Sequence, residues 1–269
     1  MTTFSPRISA SSYSNTAPLV WSFLYGQNQG KVEIIMDTAP ARSAELLAED
    51  RVDAALVPVI AYQRIDGVRL VPDVCVGARE RVRSVCLITK GSELADVRSV
   101  ALDVSSRTSV TLTKIIFREF LGFEPAWADA RPDIDSMLAD SDAALLIGDP
   151  SLMLSSTAAG SEYRIFDLAE LWRRYTGLGF VFAMWMSRRP SVAIDLAAAR
   201  DEGLAHVDEI AANYASDTGL GRDEMKRYLT ENISYSIDDS MQKGLELYFD
   251  LAHKSGLIAE NKPLEFIAD

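Results

Sequence analysis

Two serine-rich stretches and one aspartate are the places where this chain can do chemistry. The first stretch is Ser11-Ser12-Tyr13-Ser14-Asn15-Thr16-Ala17-Pro18-Leu19, the second is Ser105-Ser106-Arg107-Thr108-Ser109, and the aspartate is Asp149, just before Pro150. Each stretch follows a short β-compatible run, Ile8 to Ser12 or Val100 to Val104, and precedes an apolar helical pattern. Each therefore reads as strand, turn, helix. A helix start offers unpaired N–H groups and the positive end of the helix dipole, which suit a carboxylate or a phosphate. Ser14 or Asn15 fits the N-cap, and Pro18 fits the first turn, where its missing N–H costs nothing. In the second stretch the hydroxyls of Ser106, Thr108 and Ser109 can add hydrogen bonds to an anion, and Arg107 can either pair with it or face water. The Asn15 amide can orient a ligand but cannot act as a base. Asp149 can take a proton or simply cap the Pro150 turn. Ser84 shares a face with Val82 and Cys86 on an extended segment, as a ligand-facing hydroxyl or one bonded to nearby backbone. Arg79, Arg81 and Arg83 alternate along that segment and read as solvated.

The elements that must hold these groups repeat. Leu47-Ala48-Glu49-Asp50-Arg51-Val52-Asp53-Ala54-Ala55-Leu56 resembles Leu138-Ala139-Asp140-Ser141-Asp142-Ala143-Ala144-Leu145, each running into a buried strand and then a proline, Pro58 or Pro150. The strand, turn and helix at residues 8–24 recur at 100–121. Two copies so far apart imply paired lobes rather than a solenoid. Strands alternating with helices predict α/β lobes with mostly parallel sheets and a ligand between them at the strand ends. The expected lobes are residues 1–88 plus 188–269 and residues 89–187, with Val82 to Thr89 and Phe180 to Ser187 crossing between them. Helices are expected over about Val192 to Ala215, Arg222 to Leu229 and Ser240 to Ser255, packed on the first lobe.

Composition narrows the function. The chain has 269 residues, 48% of them hydrophobic, and a net charge of −12, so a sizeable core is available and the basic footprint of a nucleic-acid binder is missing. The acidic excess is concentrated after residue 200, so an anionic ligand must be held by local donors against an unfavourable field. Met1 to Arg7 lacks the features of a signal peptide, and the longest apolar run, Leu178 to Met186, is too short to span a bilayer. Cys75 and Cys86 read as reduced thiols, and His206 and His253 as separate surface residues with no metal-ligand spacing. The expectation is a cytoplasmic protein that uses no metal and no membrane, with its oligomeric state left open.

Tyr13-Ser14-Asn15-Thr16-Ala17-Pro18-Leu19 resembles the Tyr-x-Asn-x-x-Pro-Leu signature of the menaquinone-biosynthesis chorismate dehydratases. Val82-Arg83-Ser84-Val85, Ser105-Ser106-Arg107-Thr108-Ser109, Leu146-Ile147-Gly148-Asp149-Pro150 and Thr176-Gly177-Leu178-Gly179-Phe180-Val181-Phe182-Ala183 resemble that family in the same order, over essentially the whole chain. Gly179 departs from an expected proline, and Ser14 from a larger apolar residue. The resemblance implies a two-lobed periplasmic-binding-protein-like (type II) α/β fold with a cleft between lobes and two crossover strands. It implies a cofactor-free lyase that dehydrates chorismate, a dicarboxylate, to 3-[(1-carboxyvinyl)oxy]benzoate in the futalosine pathway. Asn15 and Asp149 become candidate catalytic residues, with Ser12, Ser84, Ser106, Arg107, Thr108, Ser109 and Gly148 as substrate-binding candidates. The proton acceptor is either the substrate's own enolpyruvyl carboxylate or Asp149. The alternatives are a small-anion binding or sensor module on the same fold and the related 1,4-dihydroxy-6-naphthoate synthase. The latter family is associated with a cleft histidine, and neither histidine here falls in a cleft motif.

Overall fold

The computed structural model describes residues 5–156 and 163–267. Ten strands form two five-stranded sheets. The first contains β1 (Arg7–Ser11), β2 (Glu33–Asp37), β3 (Ala54–Pro58), β4 (Arg69–Ala78) and β10 (Phe180–Ser187), in the order β2-β1-β3-β10-β4. The second contains β5 (Val85–Thr89), β6 (Ser99–Asp103), β7 (Ala126–Ala130), β8 (Ala143–Ile147) and β9 (Arg164–Asp167), in the order β7-β6-β8-β5-β9. The two orders superpose position for position. β1 lies parallel between β2 and β3, as β6 lies parallel between β7 and β8. The repeat seen in the sequence is thus a repeat of topology.

Each sheet accepts one strand from the far end of the other half. β10 runs antiparallel between β3 and β4, and β5 runs antiparallel between β8 and β9. The sheets are therefore evenly mixed, where mostly parallel sheets were expected. A chain that returns across the molecule enters each sheet from the opposite end, which reverses its direction. The backbone bonds of β5 go to the second sheet and those of β10 to the first. The crossings therefore fall just ahead of these strands, earlier than the expected boundaries at 88 and 187.

Eight of the helices frame the sheets as α1 (Ala17–Leu24), α2 (Pro40–Ala48), α3 (Arg107–Ile115), α4 (Ile134–Asp140), α5 (Gly148–Ser156), α6 (Leu168–Thr176), α7 (Leu196–Ala205) and α8 (Val207–Thr218). The chain then forms α9 (Arg222–Arg227) and α10 (Asp239–Lys254). The single helix expected over 192–215 is two, broken at His206, whose ring stacks on Trp21 with centroids 3.8 Å apart. Both α3 and α9 end in a π-helical segment, Ile116–Leu121 and Tyr228–Asn232. Gly122 stops the first of these in the left-handed conformation, φ 78°, that glycine adopts without strain. One apolar core runs through both lobes, and a smaller cluster around Met137, Leu138 and Leu146 lies on the second sheet. The tail helices pack chiefly on the first lobe, α7 against α1 and α10 against β10, while α10 also reaches α3 of the second lobe.

The Gly179 departure has a physical reason. Its N–H donates to Ser240 Oγ at 3.1 Å, a bond that proline lacks the hydrogen to make. A Cβ on Gly244 of α10 would stand 2.0 Å from the Gly179 carbonyl oxygen, so two glycines let α10 approach the returning chain.

Gly203 plays the same part between α7 and α1, where a Cβ would lie 1.8 Å from the Pro18 carbonyl oxygen. Overpacking against backbone costs about 1–3 kcal/mol. Gly203→Ala is expected to lower the melting temperature by roughly 3–10 °C in calorimetry.

Candidate functional site

Three helix starts converge on the space between the sheets. β1 delivers a one-turn 3₁₀ segment, Ser14–Thr16, and then α1; β6 delivers α3; β8 delivers α5. Each leaves the carboxyl end of its strand, which is where α/β sheets place ligands. A narrow cleft lies between them. Its polar lining includes Ser11, Asn15, Thr16, Ser106, Thr108 and Ser109, and its apolar walls come from residues such as Leu56, Val85, Ile147 and Phe182.

The first turn is built to present Asn15. Thr16 Oγ1 shares its proton between the Ser11 and Tyr13 carbonyls, at 2.5 and 2.8 Å, and so cinches the loop. No side chain of the turn caps it. The acceptor is Asp149, from the other lobe: Ser14 N–H donates to its carboxylate at 3.2 Å and Ser14 Oγ at 2.5 Å. The expected N-cap on Ser14 or Asn15 is therefore supplied across the cleft, and Asn15 lines the cleft instead. Burial raises the Asp149 pKa, and the Ser14 bonds oppose that rise.

Gly148 seats the Tyr13 ring. It has φ 64°, and a Cβ there would be 2.8 Å from that ring. Both the backbone conformation and the space thus require glycine. Burial also raises the Tyr13 pKa, against a hydrogen bond with Ser105.

The second helix start is capped conventionally, with Ser106 Oγ accepting from Ser109 N–H at 3.3 Å. Thr108 links the lobes through its Oγ1, which accepts from Ile60 N–H at 3.3 Å, while its carbonyl accepts from Tyr248 of α10 at 3.0 Å. Arg107 forms an ion pair with Glu45 of α2 at 3.2 Å, partly exposed, and does not line the cleft. Among the described residues no lysine, arginine or histidine lines it.

Of the residues singled out in the sequence, Asn15, Ser106, Thr108, Ser109 and Gly148 meet around one cleft. Four do not line it. Ser12 borders a separate hollow between α1 and α8. Ser84 is fully buried and donates weakly to the Val82 carbonyl at 3.5 Å. Arg107 and Asp149 are engaged as described above. Arg83, expected to be solvated, is largely covered and pairs with Glu224 at 2.6 Å. Its backbone, φ 65°, is held in the left-handed region by Asp167, which accepts from Arg83 N–H at 2.6 Å and from Val82 N–H. Sequence reading missed Asp103, a fully buried carboxylate at the end of β6. One of its oxygens accepts from Ser105 N–H and Oγ, and the other has no partner among the described residues. Burial raises its pKa. Its place before the serine-rich turn was the one signal.

Two α/β lobes, twice-crossing strands and a cleft ringed by helix starts define a periplasmic-binding-protein-like fold of type II. The chain superposes on a protein of Archaeoglobus fulgidus with a TM-score of 0.71 at 17% identity, over 96% of this chain and 100% of that one. It superposes on the periplasmic aliphatic sulphonate binding protein of Escherichia coli with a TM-score of 0.62 at 16% identity, over 98% and 94%. In sequence, residues 6–254 match the menaquinone biosynthesis family, and the chain belongs to that family. It is 31% identical to a chorismate dehydratase of Thermus thermophilus over 233 residues, 80% of this chain and 84% of the relative.

Two outcomes test this electrostatic picture. Asp149→Ala leaves the Ser14 donors without their acceptor, a loss of about 1–3 kcal/mol for a buried group. The lobes should then separate, read as a larger radius of gyration in solution scattering without ligand. For Asp103 the folded pKa lies above the ordinary value. Ionisation thus penalises the fold as pH rises through that value, and protonation relieves the penalty at acid pH. The melting temperature of Asp103→Asn relative to the parent should therefore rise between pH 4 and pH 7.

Proposed function

We propose that the protein dehydrates chorismate to 3-[(1-carboxyvinyl)oxy]benzoate in menaquinone biosynthesis. The observation that carries this reading is a cleft with apolar walls whose polar groups are hydroxyls, one amide and the N–H groups of converging helix starts. Family membership and the similarity to a chorismate dehydratase support it. Such donors suit a small ring bearing two carboxylates. An unpaired charge in a dry cleft is very costly, and helix starts offset that cost without a cation. Among the described residues no helix is long and apolar enough to cross a membrane, and we place the reaction in the cytoplasm.

Ser106, Thr108 and Ser109 at the start of α3 receive one carboxylate. Asn15 holds the reacting part of the ring from the opposite lobe. The proton leaves the ring carbon next to the one that loses hydroxide, and aromatisation supplies the drive. Asp149 accepts two bonds from Ser14 and does not line the cleft, which supports the substrate's own enolpyruvyl carboxylate as the proton acceptor. On this reading the protein acts by positioning. Gly148 contributes by keeping the cleft wall thin where Tyr13 packs.

The test is incubation of the purified protein with chorismate, with the aromatic product followed by absorbance and mass. Binding without product would mark a binding module instead. Ser106→Ala with Thr108→Ala should weaken chorismate binding by about 1–3 kcal/mol in calorimetry. Asn15→Ala and Asn15→Asp should both slow turnover by on the order of 10²-fold or more while the protein stays folded. Near-parental turnover in Asn15→Ala would overturn the assigned role.

A further inference from the structure

Beneath the cleft lies a tyrosine with no part in its lining. Tyr228 is fully buried, and its hydroxyl makes no hydrogen bond of good geometry among the described residues. It faces the side chains of Ser84 and Asn15. Tyr228 opens the π-helical segment that ends α9, and such segments recur at functional sites. The face of this helix is fixed on the first crossing at both sides of Tyr228. Four residues earlier, Glu224 binds the Arg83 guanidinium at 2.6 Å; four residues later, Asn232 Nδ2 donates to the Arg81 carbonyl at 3.4 Å. Residues 224, 228 and 232 share one helix face. That face addresses residues 81–84, with the tyrosine hydroxyl at its centre.

Stability does not account for the hydroxyl. Phenylalanine would fill the same apolar space without burying a polar group that lacks a good partner. The neighbours account for it better. Ser84 has only a long bond to the Val82 carbonyl, and the Asn15 amide must present one particular end to the cleft.

We propose that Tyr228 is a positioning residue that sets the orientation of the Asn15 amide, donating its proton to Asn15 Oδ1 and accepting from Ser84 Oγ, whose single proton then turns away from its long contact with the Val82 carbonyl. A phenol has one proton to give, and an amide oxygen that receives it turns the amide NH₂ the other way, toward the cleft. Asn15 then meets an anionic ligand with a donor rather than an acceptor. Ser84, which does not line the cleft, acts by closing the acceptor side of the tyrosine. This assignment rests on the dehydratase reading for its kinetic consequences, but not for the contact itself.

Tyr228→Phe tests it with the shape kept. The melting temperature should hold or rise. Turnover of chorismate should fall about tenfold with KM within about twofold, because orientation rather than affinity is lost. In the Asn15→Ala background the same change should have no further effect, since residues acting as one unit are not additive. Parental turnover in Tyr228→Phe, or a full further loss on top of Asn15→Ala, would overturn the proposal. The Asn15 side-chain amide resonances give a reading that needs no substrate. They should shift in Tyr228→Phe, and an unmoved pair overturns the assignment whatever the protein acts on. If the parent yields no aromatic product while those resonances move, the functional reading fails and the Tyr228 assignment stands.

Discussion

The closed arrangement of the lobes depends on a helix start in one lobe being capped by a carboxylate from the other. Ser14 offers an N–H and a hydroxyl at the mouth of the first turn, and Asp149 accepts both across the cleft. Opening the lobes would leave the donors and the acceptor to find water. The bond also governs what faces the ligand. With its own backbone capped from outside, the turn does not need Asn15 as a cap, and the amide is free to face the cleft. Tyr13 and Gly148 repeat the arrangement in apolar form, a ring from one lobe lying on a glycine of the other. Thr108 adds a third tie by accepting from Ile60 N–H. The wall of the cleft and the latch that closes it are therefore built from neighbouring residues.

On the proposed reading a strongly acidic chain must accommodate a dianion, which is a specific difficulty. Arginine would be the simplest answer, yet Arg107 is paired with Glu45 and the cleft lining lacks a cation among the described residues. Neutral donors at helix starts stabilise an anion through oriented dipoles, and they do so only in a defined direction. A cation attracts any anion; a ring of fixed N–H and hydroxyl groups accepts one whose carboxylates arrive at the right places. On the proposed reading, selectivity among small anions follows from that geometry. Closure strengthens it, because the field of a helix start is weakened where water is present.

Much of this was legible in the sequence, and the limits have physical causes. The duplication, the two serine-rich helix starts, the crossing strands and the tail helices follow from local patterns of apolarity and turn residues. The direction of β5 and β10 does not, because strand pairing is a contact between residues far apart in the chain. The same holds for individual side chains. Arg107 in a helix start reads as an anion ligand until Glu45, on a different lobe, takes it. Asp149 beside a proline reads as a base or a local cap until Ser14 occupies it. Asp103 precedes a serine and resembles any turn aspartate. Tyr228 lies in a tail that the duplication does not explain, more than two hundred residues from Asn15, so no local pattern connects them.

The strained residue Arg83 shows how the halves are joined at the site. A non-glycine residue with φ 65° is costly, and it persists where the surroundings over-determine it. Here Asp167, the cap of α6, accepts from its N–H, and Glu224 of α9 binds its side chain. One acid belongs to the second lobe and the other to the tail of the first. The kink they hold ends at Ser84, whose carbonyl accepts from Gly148 N–H at 2.7 Å. The crossing, the glycine under Tyr13 and the helix start that carries Asp149 are thus consecutive links of one hydrogen-bonded path. Among the described residues Arg83 is the one non-glycine residue of this first crossing in a left-handed conformation. The strain is therefore placed where the crossing meets the residues that tie the two lobes together.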